Sequence, residues 1–312
     1  MADRNVERPD AGSVLVVGEA LVDVVRRADG TSAEHPGGSP LNVAIGLARL
    51  GRDTYLLTRL GEDARGRSVL RHLEASGVRL VEGSVRPVTT ATAAATLAAD
   101  GSASYAFDLH WELGEAALPA APQAVHTGSI AAVLEPGASA VEQVLRSFRG
   151  RATTSFDPNC RPALMGEASA VRGRIETLVG LSDVVKLSDE DAGWLAPGEP
   201  PEALAARWLD EGPAIVVLTR GGAGMVGWCR AGRVEVSSPQ VLVADTVGAG
   251  DSAMAALLDG LWTHGLLGGA AREALARVTP EVLESVIVHA VRAAAITVSR
   301  PGADPPTSSE LD

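Results

Sequence analysis

Asp245-Thr246-Val247-Gly248-Ala249-Gly250-Asp251-Ser252 runs without a break into Ala253-Met254-Ala255-Ala256-Leu257-Leu258. The second half is small, apolar and rich in Ala, the composition of a helix that packs closely on a sheet. The first half is a turn broken by Gly248 and Gly250 that delivers the chain to that helix's N-terminus. Free N–H groups of a first helical turn make an anion site, and glycine lets the backbone come close to its occupant. Asp251 places a carboxylate in the same turn. Beside an anion cradle, a carboxylate suits a base that takes the proton of a hydroxyl attacking a phosphoryl group. The plainer reading is a Gly-containing loop with Asp251 as an ordinary first-turn acid.

Working outward, Val14-Leu15-Val16-Val17-Gly18 is a continuous apolar run closed by Gly, the pattern of a strand buried on both faces. Strands are also predicted at 53–58, 124–128, 153–157, 184–187 and 214–219, and helices at 62–76, 137–149, 169–180 and 200–211. His35-Pro36-Gly37-Gly38-Ser39-Pro40 reads as a loop feeding a helix from Leu41 to Leu50. Alternating strands and helices imply parallel strands with crossover helices on both faces, and ligands then collect beyond the strands' C-terminal ends. Asp23, Asp157, Lys186, Thr219 and Asp245 all follow strand ends. Two polar-flanked β segments, near 22–35 and 88–110, carry hairpin signals at Asp29-Gly30 and Asp100-Gly101 and would form a small sheet outside the main one.

A chain of 312 residues holds one large domain, or one with a small appendage. Its net charge of -12 argues against nucleic acid or an anionic membrane surface as partner. An acidic chain still binds ATP where the positive field is local. Cys160 and Cys229 form no metal-ligand or CxxC spacing, which suggests a reducing compartment and no zinc. Met1 to Ser13 lacks the apolar core of a signal peptide, and no run of about 18 apolar residues is present. The expectation is a soluble cytoplasmic protein.

Two other glycine motifs fail their context. Gly61 to Ser68 nearly matches the P-loop, with Arg67 in place of Lys, but falls mostly within a predicted helix. Gly222-Ala223-Gly224-Met225-Val226-Gly227 fits the dinucleotide fingerprint, yet a β-hairpin over 228–236 follows where that fingerprint must open a helix.

The octapeptide resembles the C-terminal signature of the ribokinase-like (PfkB) carbohydrate kinases. Gly37-Gly38-Ser39-Pro40-Leu41-Asn42-Val43-Ala44 with Leu47-Ala48-Arg49-Leu50-Gly51 looks like that family's N-terminal signature. The resemblance covers about 14 to 307. It implies a three-layer α/β/α core with a mostly parallel sheet, plus a small β-sheet lid formed by insertions at about 22–36 and 88–112 of a single domain spanning 1–312. It also implies ATP-dependent transfer to a primary sugar hydroxyl. Asp251 then resembles the base, and the N–H groups of Gly248, Ala249 and Gly250 the anion hole. Asp23, Gly37, Gly38 and Asn42 would bind sugar. For Asn42 a helix cap, and for Asp23 a solvated edge-strand acid, are the alternatives.

Asp157-Pro158-Asn159-Cys160-Arg161-Pro162 looks like the DPNxR stretch of fructokinase and ketodeoxygluconate kinase relatives. Arg161 could bridge sugar and transferred phosphoryl group, or form a surface ion pair. Lys186 to Asp191 occupies the place of the family's N-x-x-E segment, which organises magnesium and phosphate, with Ser188 and Asp191 standing in for Asn and Glu and with Lys186 and Ser188 as candidate nucleotide contacts. Thr219, Gly221, Gly222 and Gly224 resemble the nucleotide turn. Asp191 and Asp245 are the candidate magnesium ligands, and the 297–304 loop with Asp245 and Val247 the candidate K+ cage. A histidine contact to adenine from His289 is disfavoured against packing, and His110 and Trp111 are candidate sugar contacts. Fructose is the favoured substrate, ahead of 2-keto-3-deoxygluconate, ribose and nucleosides. The non-enzyme alternative is a sugar- or nucleotide-binding protein without catalysis. A homodimer through the lid is the expected assembly, although its Ala-rich strands offer few large side chains to bury.

Overall fold

The computed structural model describes residues 12–27, 29–97 and 103–311. In chain order the strands are β1 (Ser13–Val17), β2 (Leu21–Arg26), β3 (Ser32–Gly37), β4 (Asp53–Leu57), β5 (Leu60–Gly61), β6 (Arg79–Leu80), β7 (Val85–Arg86), β8 (Thr92–Leu97), β9 (Ala103–Asp108), β10 (Ala124–Gly128), β11 (Thr153–Asp157), β12 (Val184–Ser188), β13 (Ile215–Thr219), β14 (Met225–Cys229) and β15 (Gly232–Val236). The helices are α1 (Ser39–Arg49), α2 (Ala64–Ala75), α3 (Gly137–Phe148), α4 (Pro162–Met165), α5 (Ala168–Leu181), α6 (Asp189–Leu195), α7 (Pro201–Asp210), α8 (Ala249–Thr263), α9 (Arg272–Leu275), α10 (Pro280–Val298) and α11 (Ser308–Leu311).

Nine strands form the main sheet in the order β15-β14-β13-β12-β11-β10-β1-β4-β6. It is parallel from β6 to β13, and the β14–β15 hairpin adds an antiparallel edge. That hairpin covers 228–236, so the fingerprint glycines open no helix. One apolar layer joins the sheet to α1, α2, α8 and α10; the other joins it to α3, α5, α6 and α7. The three-layer core expected from the alternation is therefore present. The Ala-rich stretch is buried from Asp251 to Leu261 along α8. Small residues are what this helix needs: a Cβ on Gly46 of α1 would stand 2.7 Å from the Cβ of Ala255.

A second sheet, β3-β2-β8-β9, lies outside this core. Its β2–β3 and β8–β9 pairs are antiparallel, and β2 pairs with β8 in parallel. The hairpin signal at Asp29-Gly30 holds, with Gly30 at φ 84°; Asp100-Gly101 lies outside the described residues. One expectation is corrected. His35 to Gly37 is strand, not loop, and Gly38 alone separates β3 from α1. Pro36 is tolerated because β3 is an edge strand, where a missing N–H breaks no ladder.

Candidate active site

The strand register places a polar row on the sheet face beneath α8. His126 of β10 pairs with Ser155 of β11, its Nδ1 lying 3.0 Å from the Ser155 hydroxyl. Burial, with Lys186 nearby, lowers the His126 imidazole to about 3 and keeps it neutral. Two residues along, at the sheet's C-terminal edge, Asp157 meets Lys186 of β12 at 2.9 Å, with side chains 1% and 3% exposed. Burial pushes the Asp157 carboxyl up to about 6 despite its lysine. Burial also works against the Lys186 charge, but Asp157, Asp191 and Asp251 together outweigh it and hold the ammonium protonated.

Above this pair the chain enters α8. Gly248 is the N-cap at φ 76°, a left-handed conformation suited to glycine, and a Cβ there would stand 2.6 Å from Ala303. The first helical bond runs from Ser252 N–H to the Gly248 carbonyl at 2.8 Å. The N–H groups of Gly248 to Asp251 therefore precede the helical ladder. That of Ala249 makes a long, 3.4 Å bond back to Thr246. Gly250 faces the lysine: its Cβ would lie 3.4 Å from Lys186 Nζ.

Asp251 is 7% exposed and held by α1. Ser39 Oγ donates to Oδ1 at 2.6 Å, and Asn42 Nδ2 donates to Oδ2 at 2.8 Å. Burial raises its carboxyl, while the two hydrogen bonds, Lys186 and Arg161 favour the ionised form. Ser39 and Asn42, three apart on α1, point the same way. Asn42 is not the helix cap, which is Gly38; its side chain donates to Asp251. Ser39, passed over in the sequence, does the same.

Arg161 is exposed, and its guanidinium bonds the carbonyls of Asn159 and Cys160 at 3.3 and 3.0 Å. Its charge is felt by both Asp251 and Asp23, and among the described residues it forms no ion pair. Asp23 on β2 is open to solvent, yet partial desolvation raises its carboxyl against the pull of His35 and Arg161. Gly37 leaves room for Asp23, whose Oδ2 would lie 2.1 Å from a Cβ there.

The remaining candidates divide. Asp191 completes a capping box with Ser188 and accepts the Cys160 N–H at 2.6 Å, tying α6 to the 157–161 loop. Asp245 accepts from Val247 and Gly302 N–H at 3.0 and 2.9 Å, docking the loop before α8 onto the 300–303 turn. Those are the two loops named for the K+ cage. Both acids are committed to backbone donors, and among the described residues no group of three or more His, Cys, Asp or Glu could hold a metal. Thr219 ends β13, and Gly221 and Gly222 open an exposed turn with nothing within 4 Å of a Cβ. Gly224 has a different reason to be glycine: a Cβ would lie 2.1 Å from the Val236 carbonyl. Trp111 is buried and donates to the Ala131 carbonyl at 3.1 Å, which removes it as a sugar contact. His110 remains exposed. His289 bonds Asp259 at 2.8 Å, a packing role.

The model for "pfkB family carbohydrate kinase" matches residues 11–310. The chain belongs to the pfkB family of carbohydrate kinases. A fructokinase of Rhizobium leguminosarum bv. trifolii is 35% identical over 266 residues, covering 81% of each chain. A fructokinase of Klebsiella pneumoniae is 32% identical, covering 82% of this chain and 86% of its own. The fold matches an ATP-bound fructokinase from Xylella fastidiosa with a TM-score of 0.80 at 24% identity, over 96% of each chain. A variant fructokinase from Vibrio cholerae O395, solved with fructose, ADP and potassium ion, gives a TM-score of 0.74 at 25% identity, over 97% of this chain and 96% of its own. Among the described residues no helix is long and apolar enough to cross a membrane.

Proposed function

We propose that this pfkB kinase transfers the γ-phosphoryl group of ATP to a primary hydroxyl of fructose. The observation that carries the chemistry is Asp251: a buried carboxylate at the N-terminus of α8, gripped by Ser39 and Asn42 and faced by Lys186. The fructose assignment rests on the relatives at 32–35% identity, all fructokinases by name.

Asp251 takes the proton of the attacking hydroxyl, its lone pairs aimed by the two α1 donors. N–H groups of the first turn of α8 accept the charge of the phosphoryl oxygens as it develops. Arg161, whose charge reaches both Asp23 and Asp251, adds a planar cation for the junction of sugar and phosphoryl group. Asp23 accepts sugar hydroxyls from the side of the second sheet, which acts as a cover excluding water.

Three carboxylates, Asp157, Asp191 and Asp251, surround a single buried lysine. Such a site repels a polyanionic nucleotide unless a divalent cation accompanies it, and hard carboxylate oxygens suit magnesium. Asp157 Oδ1, buried with no hydrogen-bond partner, is the freest oxygen for its water shell, with Asp191 behind it. Magnesium held there would neutralise charge on the nucleotide's phosphates. Because magnesium keeps several waters and takes only one or two carboxylates, the lack of a three-carboxylate cage does not conflict with it. A potassium ion between the 245–248 and 300–303 loops would steady the approach to α8.

ADP release measured with magnesium-ATP across fructose, 2-keto-3-deoxygluconate and ribose tests both parts. Fructose should be preferred, and Asp251→Asn should lower turnover about 10²–10⁴-fold. A variant with wild-type turnover refutes the base. Preference for another sugar refutes fructose alone.

The two edges of the second sheet, β3 and β9, would be covered in a homodimer joined there. A monomer by sedimentation at micromolar concentration refutes that assembly.

A further inference from the structure

Glu19 lies between β1 and β2, where the chain leaves the main sheet for the second one, and is 5% exposed. Its Oε2 accepts the Ala131 N–H at 3.1 Å, and the Ser129 hydroxyl bonds the same carboxyl. Ser129 holds φ at 57°, a left-handed conformation uncommon outside glycine. The Glu19 backbone carbonyl lies 2.6 Å from where a Cβ of Gly38 would stand. The outgoing connection, Gly18 to Ala20, and the returning one, at Gly38, therefore cross in contact. The next residue, Ser39, donates to Asp251.

A buried acid destabilises a fold unless something repays it. Burial pushes the Glu19 carboxyl up to about 7, and the charge of Asp251 adds to the rise. Glutamine would serve the Ala131 N–H as well without that cost, so the carboxyl itself asks for a reason.

We propose that Glu19 is a positioning residue for Asp251. Its carboxyl ties both crossings between the sheets to the Ser129–Ala131 turn, and so sets Ser39 at bonding distance from the base. This rests on the reading of Asp251 as that base. The charged group that Glu19 faces from α8 is Asp251, itself faced by Lys186 of β12 and Arg161 of the loop after β11. Ionised, Glu19 grips the turn through charge-assisted bonds and makes Asp251 more basic. Turnover should therefore rise as pH passes through the Glu19 titration.

Wild type, Glu19→Gln, Ser129→Ala and Asp251→Asn are compared in kcat and KM with magnesium-ATP and fructose from about pH 5.5 to 9, alongside thermal midpoints. Glu19→Gln should lower kcat at about pH 8 by about ten- to a hundred-fold, the scale of a small misplacement of a reacting group. It should leave KM for ATP unchanged and erase the inflection near neutral pH. Wild-type kcat with the inflection intact overturns the proposal, as does an effect confined to the thermal midpoint. If Glu19→Gln does not fold, Ser129→Ala decides, because it removes a bond favouring ionised Glu19. The inflection should then move to higher pH, and an unmoved inflection overturns the proposal. A slow Asp251→Asn beside an unaffected Glu19→Gln sinks only the positioning role. Wild-type turnover of Asp251→Asn sinks both.

Discussion

Replacing Asn42 with Ala removes one of the two donors that α1 gives to Asp251, the 2.8 Å bond to Oδ2, and leaves the 2.6 Å bond from Ser39 in place. A hydrogen bond to a charged group contributes about 1.5–3 kcal/mol. That energy stabilises only the ionised carboxylate, because the protonated form gives the amide a poorer acceptor. Its loss favours protonation of the base by about ten- to a hundred-fold. On the acid side of the profile, kcat should fall by that factor, and the acid limb should move to higher pH. Above the limb Asp251 is again ionised, and its place on α8 is unchanged, so the plateau should return to within a few-fold of wild type. Steady-state kcat against pH, with saturating magnesium-ATP and fructose, reads both features. Ser39→Ala should move the limb in the same direction, and the double variant need not show the sum, since both bonds act on one carboxylate. A lowered plateau with an unmoved limb would refute the reasoning. Asn42 would then act on the sugar or on packing.

Lys186→Met strands Asp157, and breaking a buried pair costs about 3–5 kcal/mol. Asp157 already titrates at about 6 in the fold, above the unfolded value of about 3.9, and losing its lysine raises it further. The loss of stability should be full above that raised titration and shrink as pH falls below about 6, where the folded acid is protonated with or without its lysine; denaturant unfolding at about pH 8 and 4.5 checks it, and equal losses would contradict it. Glu19 gives the opposite variant. Its folded value of about 7 exceeds its ordinary value of 4.5, so it favours the fold only while protonated, and stability drains as pH rises between those values. Glu19→Gln should therefore melt higher than wild type at about pH 8, by an amount on the order of a few kcal/mol, while turning over more slowly. A lower midpoint at that pH would show the charge to be compensated.

The layers and the glycine turn into α8 were legible because both depend on local pattern. The all-apolar run of β1, the Ala-rich face of α8 and the glycine at the left-handed Gly248 cap each state their backbone requirement within a few residues. The misread loop at 35–37 had a local cause too. Pro36 and two glycines look like punctuation, and only the edge position of β3 makes Pro harmless. Asp191 was singled out by resemblance to a ligand segment, and its separation from Ser188 is also that of a capping box, which the structure forms.

What stayed hidden is the setting of Asp251. Its hydroxyl partner is 212 residues away in sequence, and the acid that ties down that partner's hinge sits at the exit of a different strand. No periodicity links Glu19, Ser39, Lys186 and Asp251, because they meet only where β1 and β12 end and α1 and α8 begin. A usable signal did exist: Ser39 and Asn42, three apart at the start of a helix whose other side chains are buried, had to point their polar groups at something inside the protein. Buried polar groups require partners, and in the fold that partner is Asp251. The cradle's backbone is therefore written in one octapeptide, whereas the basicity of its carboxylate is set by residues that the topology gathers from both sheets.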